Sequence, residues 1–353
     1  MAINLSSKYA SQIAELFSHE SFVQPHTNGD LDFTGAKTVR VYKLEPNDEV
    51  DYKRSGDNRF GTGGDVQDTV FEYTMTQDKA WRGIVDKGDE SDQSITKKAG
   101  KFVKIQTQQK TTPNADKYAL RRFATLGNSV TISAAPTKTT VVGMFSDIMA
   151  AFDNALVPDS GRVVYVPVGT FKLVAMSDEF IKIEALGEKS VAKGEVGMIF
   201  GMKVIKVPDR LMPENCYALA TYTAAVAMPY KIQDCKVHQD APGISGALIE
   251  ARNYYDAFVL GEKADGVCAC VLESKKLAAP TITDTTKTAV TLECANASEI
   301  RYTLDGSDPR FSMTAKVYGA AFDATGKTVR AVGLDDTNAY FTSDMAEKAV
   351  AAE

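Results

Sequence analysis

The chain has 353 residues, of which 44% are hydrophobic and 24% are charged, and its formal net charge is −6. That length accommodates two or three domains with a sizeable core, and the acidic balance argues against a global basic surface for nucleic acid. No run approaches the roughly 20 apolar residues of a membrane-spanning helix, and the start, MAINLSSKYASQIAELF, lacks the order of a signal peptide. We therefore expect no membrane partner and folding in a reducing cytosol.

The first predicted element is a short helix at residues 5–19, where apolar residues recur at helical spacing. The segment after it, HESFVQPHTNGDLDF, is polar and is broken by proline and glycine. A short helix followed by such a tether indicates an N-terminal arm, because the helix cannot bury its apolar stripe alone.

Two strands are predicted next, TVRVYKL at 38–44 and TVFEYTM at 69–75. About 25 residues lie between them, and these are too polar and glycine-rich to form a core. This layout predicts a long hairpin whose tip, residues 45–66, is mobile in an isolated subunit.

The tip contains RSGDNRFGTGGDV, residues 54–66, which raises the question of a phosphate-binding loop. A Walker loop requires Lys directly after its last glycine, where this chain has Asp65. A dinucleotide fingerprint requires a third glycine where Val66 stands, and then a helix, whereas a strand follows here. The sequence therefore favours an exposed hairpin tip over a nucleotide site.

A long helix is predicted from about Ile95, with a bend near Pro113 and an end at Gly127. Four carboxylates precede it: Asp86, Asp89, Glu90 and Asp92. Negative charge at a helix N-terminus complements the helix dipole. We favour that interpretation over a catalytic or cation-binding cluster.

A second amphipathic helix is predicted at 139–156, with Leu156 on its apolar face. Between 162 and 273, strands and short helices alternate without regular βαβ units, which is typical of an α+β domain. After a linker near Lys275–Pro280, residues 280–345 carry four short alternating strands, AVTLEC, IRYTL, TVRAV and AYFTS, which predict a small all-β sandwich.

Five cysteines and three histidines are the candidate metal ligands: Cys216, Cys235, Cys268, Cys270, Cys294, His19, His26 and His238. Cys268 and Cys270 would share one face of a strand, but no further ligands lie at metal-site spacing, so buried free thiols are the favoured interpretation. The histidines show neither ligand spacing nor a catalytic signature. We therefore predict no catalytic residue, no cofactor and no metal.

Four stretches, taken with their order, resemble the major capsid proteins of tailed bacteriophages, the shell fold typified by phage Hong Kong ninety-seven. GGDVQDTVFEYTMTQDKAWRGIVDKGDESDQ (63–93) is similar to the family's extended-loop return strand, and TTPNADKYALRRFA (111–124) carries a Pro-x-x-Asp-x-Tyr pattern late in its spine helix. VPDSGRVVYVPVGTFKLV (157–174) is similar to the central turn, strand and helix. The stretch 201–271, with its Tyr-Tyr-Asp-Ala-Phe-Val run, is similar to the end of such proteins.

The resemblance covers roughly residues 1–273 and implies a division of the chain into named parts. These are an N-terminal arm (1–36), an extended loop (37–83), a peripheral domain with the spine helix (84–140, completed by 251–273), an axial domain (141–250), a linker (274–279) and a C-terminal module (280–353). It also implies self-assembly into hexamers and pentamers of an icosahedral shell around double-stranded DNA. Portal, scaffold or protease partners during assembly and a location in the virion, after assembly in the host cytoplasm, follow from the same resemblance.

The C-terminal module has a second resemblance, to the immunoglobulin-like C-terminal domain of chitobiases and hexosaminidases. Its marker is the hairpin YTLDGSDP, Tyr302 to Pro309, in which Asp305-Gly306 suits a tight turn. The module carries 7 basic and 11 acidic residues. We expect it to lie on the outer surface of the shell, with a host-surface glycan as one candidate ligand, and to be removable after Lys276 without loss of shell formation.

The alternative is a carbohydrate-binding or glycoside-processing protein that carries this module. Hydrolysis of a glycoside requires two carboxylates about 5–9.5 Å apart across a cleft, and no pair in the sequence is singled out. The one tryptophan, Trp81, lies beside the predicted hairpin. The module by itself implies no hydrolase.

Overall fold

The computed structural model describes residues 20–30, 33, 36–44, 49–56, 58–61, 68–87, 99–177, 197–239, 241–286 and 289–351. Several predictions fall outside these residues: the helix at 5–19, His19, part of the glycine-rich tip at 62–67, and the carboxylates Asp89, Glu90 and Asp92 together with Ile95.

Within the described residues the chain forms nineteen strands and four α-helices. The strands are β1 Thr38–Leu44, β2 Asp68–Thr74, β3 Gln77–Asp86, β4 Asn128–Ile132, β5 Arg162–Pro167, β6 Met198–Ile199, β7 Met202–Val207, β8 Cys216–Tyr222, β9 Val226–Ala227, β10 Tyr230–Gln239, β11 Gly246–Tyr255, β12 Phe258–Val259, β13 Val267–Leu272, β14 Thr281–Thr286, β15 Ala289–Glu293, β16 Glu299–Thr303, β17 Lys316–Val317, β18 Thr328–Leu334 and β19 Ala346–Ala349. The helices are α1 Ala99–Gln106, α2 Thr112–Leu126, α3 Val141–Asn154 and α4 Val168–Ala175.

The predicted hairpin is present: β1 and β2 pair antiparallel, from Thr38 opposite Thr74 to Leu44 opposite Asp68. We call residues 38–74 the hairpin arm. The chain then turns at residues 75–76 into β3, which leaves the arm and forms a separate three-stranded sheet in the order β10-β11-β3.

A continuous helical segment, which we call the spine helix, runs from Ala99 to Leu126. It is built from α1, a π-helical turn at Thr107–Thr111, and α2. The bend predicted near Pro113 stays a prediction; what the structure shows there is this π turn, which rearranges the backbone hydrogen bonds just before a proline that has no N–H to donate. The helix ends before Gly127, as predicted, and the Gly127 N–H donates to the Phe123 carbonyl at 2.9 Å.

We call the described residues between 75 and 273 the body. A six-stranded sheet in the order β4-β13-β8-β5-β7-β6 forms its centre. Successive residues of β5 point to opposite faces: Val163 and Tyr165 join the core that contains α2, and Val164 and Val166 join the core that contains α3. The sheet is therefore covered by helices on both faces. The apolar run VCACV of β13 occupies an interior position in this sheet, between β4 and β8.

The second predicted helix is present as α3, but the assignment of Leu156 to its apolar face was wrong. The helix ends at Asn154, and Leu156 adopts a φ of 54° with 88% of its side chain exposed. Val157, which is buried, takes the inward position one residue later.

The C-terminal module has a two-stranded sheet, β14-β15, and a four-stranded sheet, β17-β16-β18-β19. Its core includes Val290, Leu292, Tyr302 and Val329, which confirms the predicted sandwich. The strand predicted at AYFTS is not formed. The Asp335 carboxylate accepts hydrogen bonds from the Ala339 and Tyr340 N–H groups, and these bonds stabilise a loop in its place. None of the helices in the described residues is long and apolar enough to cross a membrane.

Candidate assembly site

Asp256 joins three parts of the body at the root of the hairpin arm. Its side chain is only 1% exposed and accepts four hydrogen bonds. One oxygen accepts from the Thr76 N–H at 2.6 Å and the Thr76 hydroxyl at 2.9 Å, and the other from the Tyr118 hydroxyl at 2.7 Å and the Ala257 N–H at 2.8 Å. The carboxylate therefore fixes the turn below the arm to the spine helix.

Asp116, two residues before Tyr118 on the spine helix, holds the segment that precedes the arm. It is also 1% exposed, and it accepts hydrogen bonds from the Ser21 hydroxyl at 2.6 Å and the Phe22 N–H at 2.8 Å. Burial raises the pKa of this carboxyl, although the hydrogen bonds from Ser21 and Phe22 act in the opposite direction. Val23, fully buried beside it, completes the attachment.

These contacts explain two motifs that the sequence singled out without giving them a role. Asp116 and Tyr118 belong to the Pro-x-x-Asp-x-Tyr pattern, and Asp256 belongs to the Tyr-Tyr-Asp-Ala-Phe-Val run. They meet although 138 residues separate Tyr118 from Asp256. The signal was present in the sequence, but only the fold shows that the two motifs form one anchoring site.

The root of the hairpin arm is buried in the body. Phe71 and Tyr73 on β2 are each 4% exposed, and the Tyr73 ring lies 5.4 Å from that of Phe258. The Tyr73 hydroxyl accepts a hydrogen bond from the Gly261 N–H at 2.7 Å. Apolar and polar contacts thus anchor the arm at its root.

The outer part of the arm has the opposite character, because large apolar side chains lie in solvent there. Phe60 is 83% exposed and Leu44 70% exposed. Tyr42, Val50 and Tyr52 complete the set, which we call the arm's apolar patch. The ring of Tyr52 contacts that of Phe60, at 5.0 Å between centroids. Exposed apolar surface is typical of sites that bind another protein.

The candidate metal ligands do not come together within the described residues, where no group of three or more His, Cys, Asp or Glu could hold a metal ion. Cys268 and Cys270 share one face of β13, as predicted, and lie in the core that contains α3, whereas Cys216 lies in the core that contains α2. Burial raises the pKa of Cys268 and Cys270 to about 12, so these thiols are neutral. Cys235 is exposed and Cys294 half-buried.

Trp81, His26 and His238 lie on three different elements. The Trp81 indole is half-buried and packs edge-on against Phe102, at 5.8 Å between ring centroids. His26 lies on the turn after Val23, where burial and then Lys203 lower its pKa. His238 lies on β10, with Nε2 3.6 Å from a carboxylate oxygen of Glu250.

Comparison with solved structures identifies chains with a similar fold. A chain of Mycobacterium phage Che8 superposes with a TM-score of 0.63 at 18% identity, over 76% of this chain and 98% of that chain. The asymmetric unit of the bacteriophage PhiM1 mature capsid gives 0.63 at 10% identity, over 76% and 92%. The capsid of cyanophage P-SCSP1u gives 0.61 at 14% identity, over 76% and 93%.

The module has its own match: a family model described as Fn3 associated covers residues 290–344. Those residues include the YTLDGSDP hairpin and most of the sandwich strands. No curated protein matches the chain in sequence. The chain therefore has the α+β fold of tailed-phage capsid proteins, followed by an immunoglobulin-like β-sandwich.

Proposed function

We propose that this chain is the major capsid protein of a tailed bacteriophage, which assembles into pentamers and hexamers of an icosahedral shell enclosing double-stranded DNA. The observation that carries the proposal is an arm with a buried root and an exposed apolar patch, on a body with the capsid fold. The role is structural, and no residue is assigned to catalysis.

The energetics of the arm support assembly over a monomeric function. Fully burying a large apolar side chain is worth about 1.5–3 kcal/mol, and Tyr42, Leu44 and Phe60 are each more than half exposed in the single chain. A two-stranded ribbon has no core of its own in which to bury them. A neighbouring subunit would supply that surface, so part of the stability of the arm would belong to the shell.

The remaining assignments follow from the same proposal. Residues 1–36 are an N-terminal arm, 37–83 the extended loop, 84–140 with 251–273 the peripheral domain, 141–250 the axial domain, and 280–353 a module on the outer surface. Packaged DNA faces the inner surface without sequence specificity. Portal, scaffold and protease proteins act during assembly in the host cytoplasm, and the virion is the final location.

Sedimentation of the purified chain tests this function. We expect large particles in equilibrium with subunits, alone or with a scaffold protein, and loss of those particles when the arm's apolar patch is made polar. A chain that stays monomeric under all assembly conditions would contradict the proposal.

A glycan ligand for the module is a second proposal, which rests on the resemblance of its YTLDGSDP hairpin to the C-terminal domain of chitobiases and hexosaminidases. A glycan array probed with the full-length chain tests it, and hydrogen exchange with the bound glycan locates the contact. Protection confined to residues outside 280–353 would assign the glycan contact to the body instead.

A further inference from the structure

The C-terminal module contributes side chains to the core of the body. Phe311 and Phe341 belong to the cluster that contains Phe71, Tyr73 and Phe258, and they are 8% and 4% exposed. The expectation that Lys275–Lys276 and Pro280 separate the module from the body is therefore corrected. Two aromatic side chains of the module fill the core at the root of the hairpin arm.

The contact extends to the backbone of the arm. Ser312 forms an isolated antiparallel bridge with Phe71 on β2, and the Met313 N–H donates to the Val70 carbonyl at 3.4 Å. The fit is close at Gly261, where a Cβ would lie 2.7 Å from the Phe71 ring and 2.9 Å from Phe311. The module thus packs on the edge of β2 without room for a further methyl group.

Arg310 connects the module to the end of the spine helix. Its side chain is 10% exposed and paired with Asp308 at 2.7 Å. It donates to the Leu126 carbonyl at 3.1 Å and to the Asn128 side-chain oxygen at 3.0 Å. The last carbonyls of a helix lack partners within the helix, and a cation there also complements the helix dipole. The module therefore caps the spine helix.

Two further contacts complete the attachment. Arg121, on the spine helix, donates to the Asn338 carbonyl at 2.7 Å and also to its side chain. The connecting segment is pinned as well, because the Phe341 N–H donates to the Lys275 carbonyl at 2.7 Å and Lys276 pairs with Asp344 at 2.5 Å. The segment that links the body to the module is therefore packed and hydrogen-bonded, and it is not a flexible linker.

The hairpin that marks the module borders a cleft between the module and the body. Asp305 and Gly306 line a cleft of about 530 Å³ whose other walls include Lys43, Asn128 and Asp265 of the body. Pro309, at the end of the same hairpin, is buried. Arg310 and Phe311, the two residues that make the principal contacts, directly follow this hairpin in the chain.

We propose that the C-terminal module is a clamp that fixes the root of the hairpin arm to the C-terminal end of the spine helix. By holding β2 and Leu126 in one arrangement, it sets the direction in which the arm leaves the body. The consequence for shells rests on the proposed function: a subunit with a loosened clamp would present its arm in many directions and assemble poorly.

Hydrogen exchange on the isolated full-length subunit tests the clamp directly. Arg310→Gln removes the contacts to the spine helix while keeping a side chain of similar length. Arg301→Gln is the matched control, since Arg301 lies on the same module and pairs within its own strand with Glu299. We expect exchange in peptides covering 68–74 and 120–127 to become about tenfold faster or more in the first variant only.

A second variant, Phe311→Ala, removes the apolar contact, with exposed Val317→Ala as its control. Protection of β15, β16 and β18 shows whether the module itself stays folded. Unchanged exchange at 68–74 in both Arg310→Gln and Phe311→Ala, with those strands still protected, would overturn the clamp. This readout needs no shell. If the wild-type chain forms no shells but the two variants show these changes in exchange, the proposed function is contradicted and the clamp stands.

Discussion

At the scale of single residues, the anchoring site at Asp256 makes a prediction about stability. Tyr118→Phe removes one of four donors to a buried carboxylate, and hydrogen bonds to charged groups are worth about 1.5–3 kcal/mol. We expect the free energy of unfolding to fall by about 1–3 kcal/mol in urea titrations. Tyr52→Phe, on an exposed tyrosine of the arm, should change it by less than about 0.5 kcal/mol; equal effects would contradict the site's role.

Asp116 predicts a dependence of stability on pH. Burial raises its pKa in the folded chain above the ordinary value of 3.8. At a pH between these two pKa values, the folded state therefore holds a proton that the unfolded state has released. Stability from this residue is therefore present below pH 3.8 and is lost as the pH rises through the folded pKa.

The measurement compares Asp116→Asn with wild type by urea unfolding at several pH values between 3.5 and 7. The variant cannot ionise, so we expect it to gain stability relative to wild type as the pH rises. Asp30→Asn, on an exposed residue, controls for the loss of one negative charge. A difference between Asp116→Asn and wild type that stays constant across this range would refute the argument.

The sequence revealed these residues only as parts of motifs. Helical spacing places Asp116 and Tyr118 on the spine helix, but it cannot bring them to Ser21 and Asp256, because those contacts span 95 and 138 residues of chain. Contacts of that range depend on how the sheets and helices pack. The buried thiols were predictable, since an apolar strand such as β13 accepts neutral cysteines readily.

At the scale of elements, the hairpin arm predicts a separation between folding and assembly. Val50 and Phe60 are 61% and 83% exposed, so replacing both with Ser should alter the free energy of unfolding of the subunit by less than about 0.5 kcal/mol. In the shell, each serine would lack the apolar side chain whose burial against a neighbour is worth about 1.5–3 kcal/mol. We therefore expect the concentration required for assembly to rise more than about tenfold.

The control for this pair is Asp51→Ser, a polar change at an exposed position on the same tip. Light scattering against protein concentration gives the assembly threshold, and urea titration of the subunit gives its stability. A normal threshold in the Val50→Ser, Phe60→Ser double variant would show that the apolar patch does not contact a neighbour.

Several elements were predictable because their signals are local. Alternation identified β1 and β2, and helical spacing identified the spine helix and α3. The failures have a local physical cause too: the end of α3 is set by where the backbone turns at Leu156, and the predicted strand at AYFTS is replaced by a loop that Asp335 stabilises. Hydrophobic patterning alone cannot distinguish such loops from short strands.

At the scale of the whole molecule, the clamp predicts that body and module unfold together. Phe311 and Phe341 are residues of the module that lie in the core of the body, so removing the module would expose Phe71 and its neighbours. We expect one calorimetric transition in the wild-type chain. Arg310→Gln should separate the module's unfolding from that of the body, whereas two transitions already present in wild type would contradict a tight junction.

The sequence predicted two architectures correctly but misjudged how they are joined. The module's strands alternate as in an independent sandwich, and Lys275–Pro280 has the composition of a linker. Phe311 and Phe341 lie in loops, where the patterning of strands gives no indication of the surface against which an aromatic side chain packs. The docking therefore becomes visible only in three dimensions.

The most direct test of shell formation is electron cryo-microscopy of the full-length chain, expressed alone and with a scaffold protein. We expect closed shells of hexamers and pentamers, in which Tyr52 and Phe60 of each arm are buried against an adjacent subunit. Only monomers or small open oligomers in both preparations, or shells in which those two side chains remain in solvent, would contradict it.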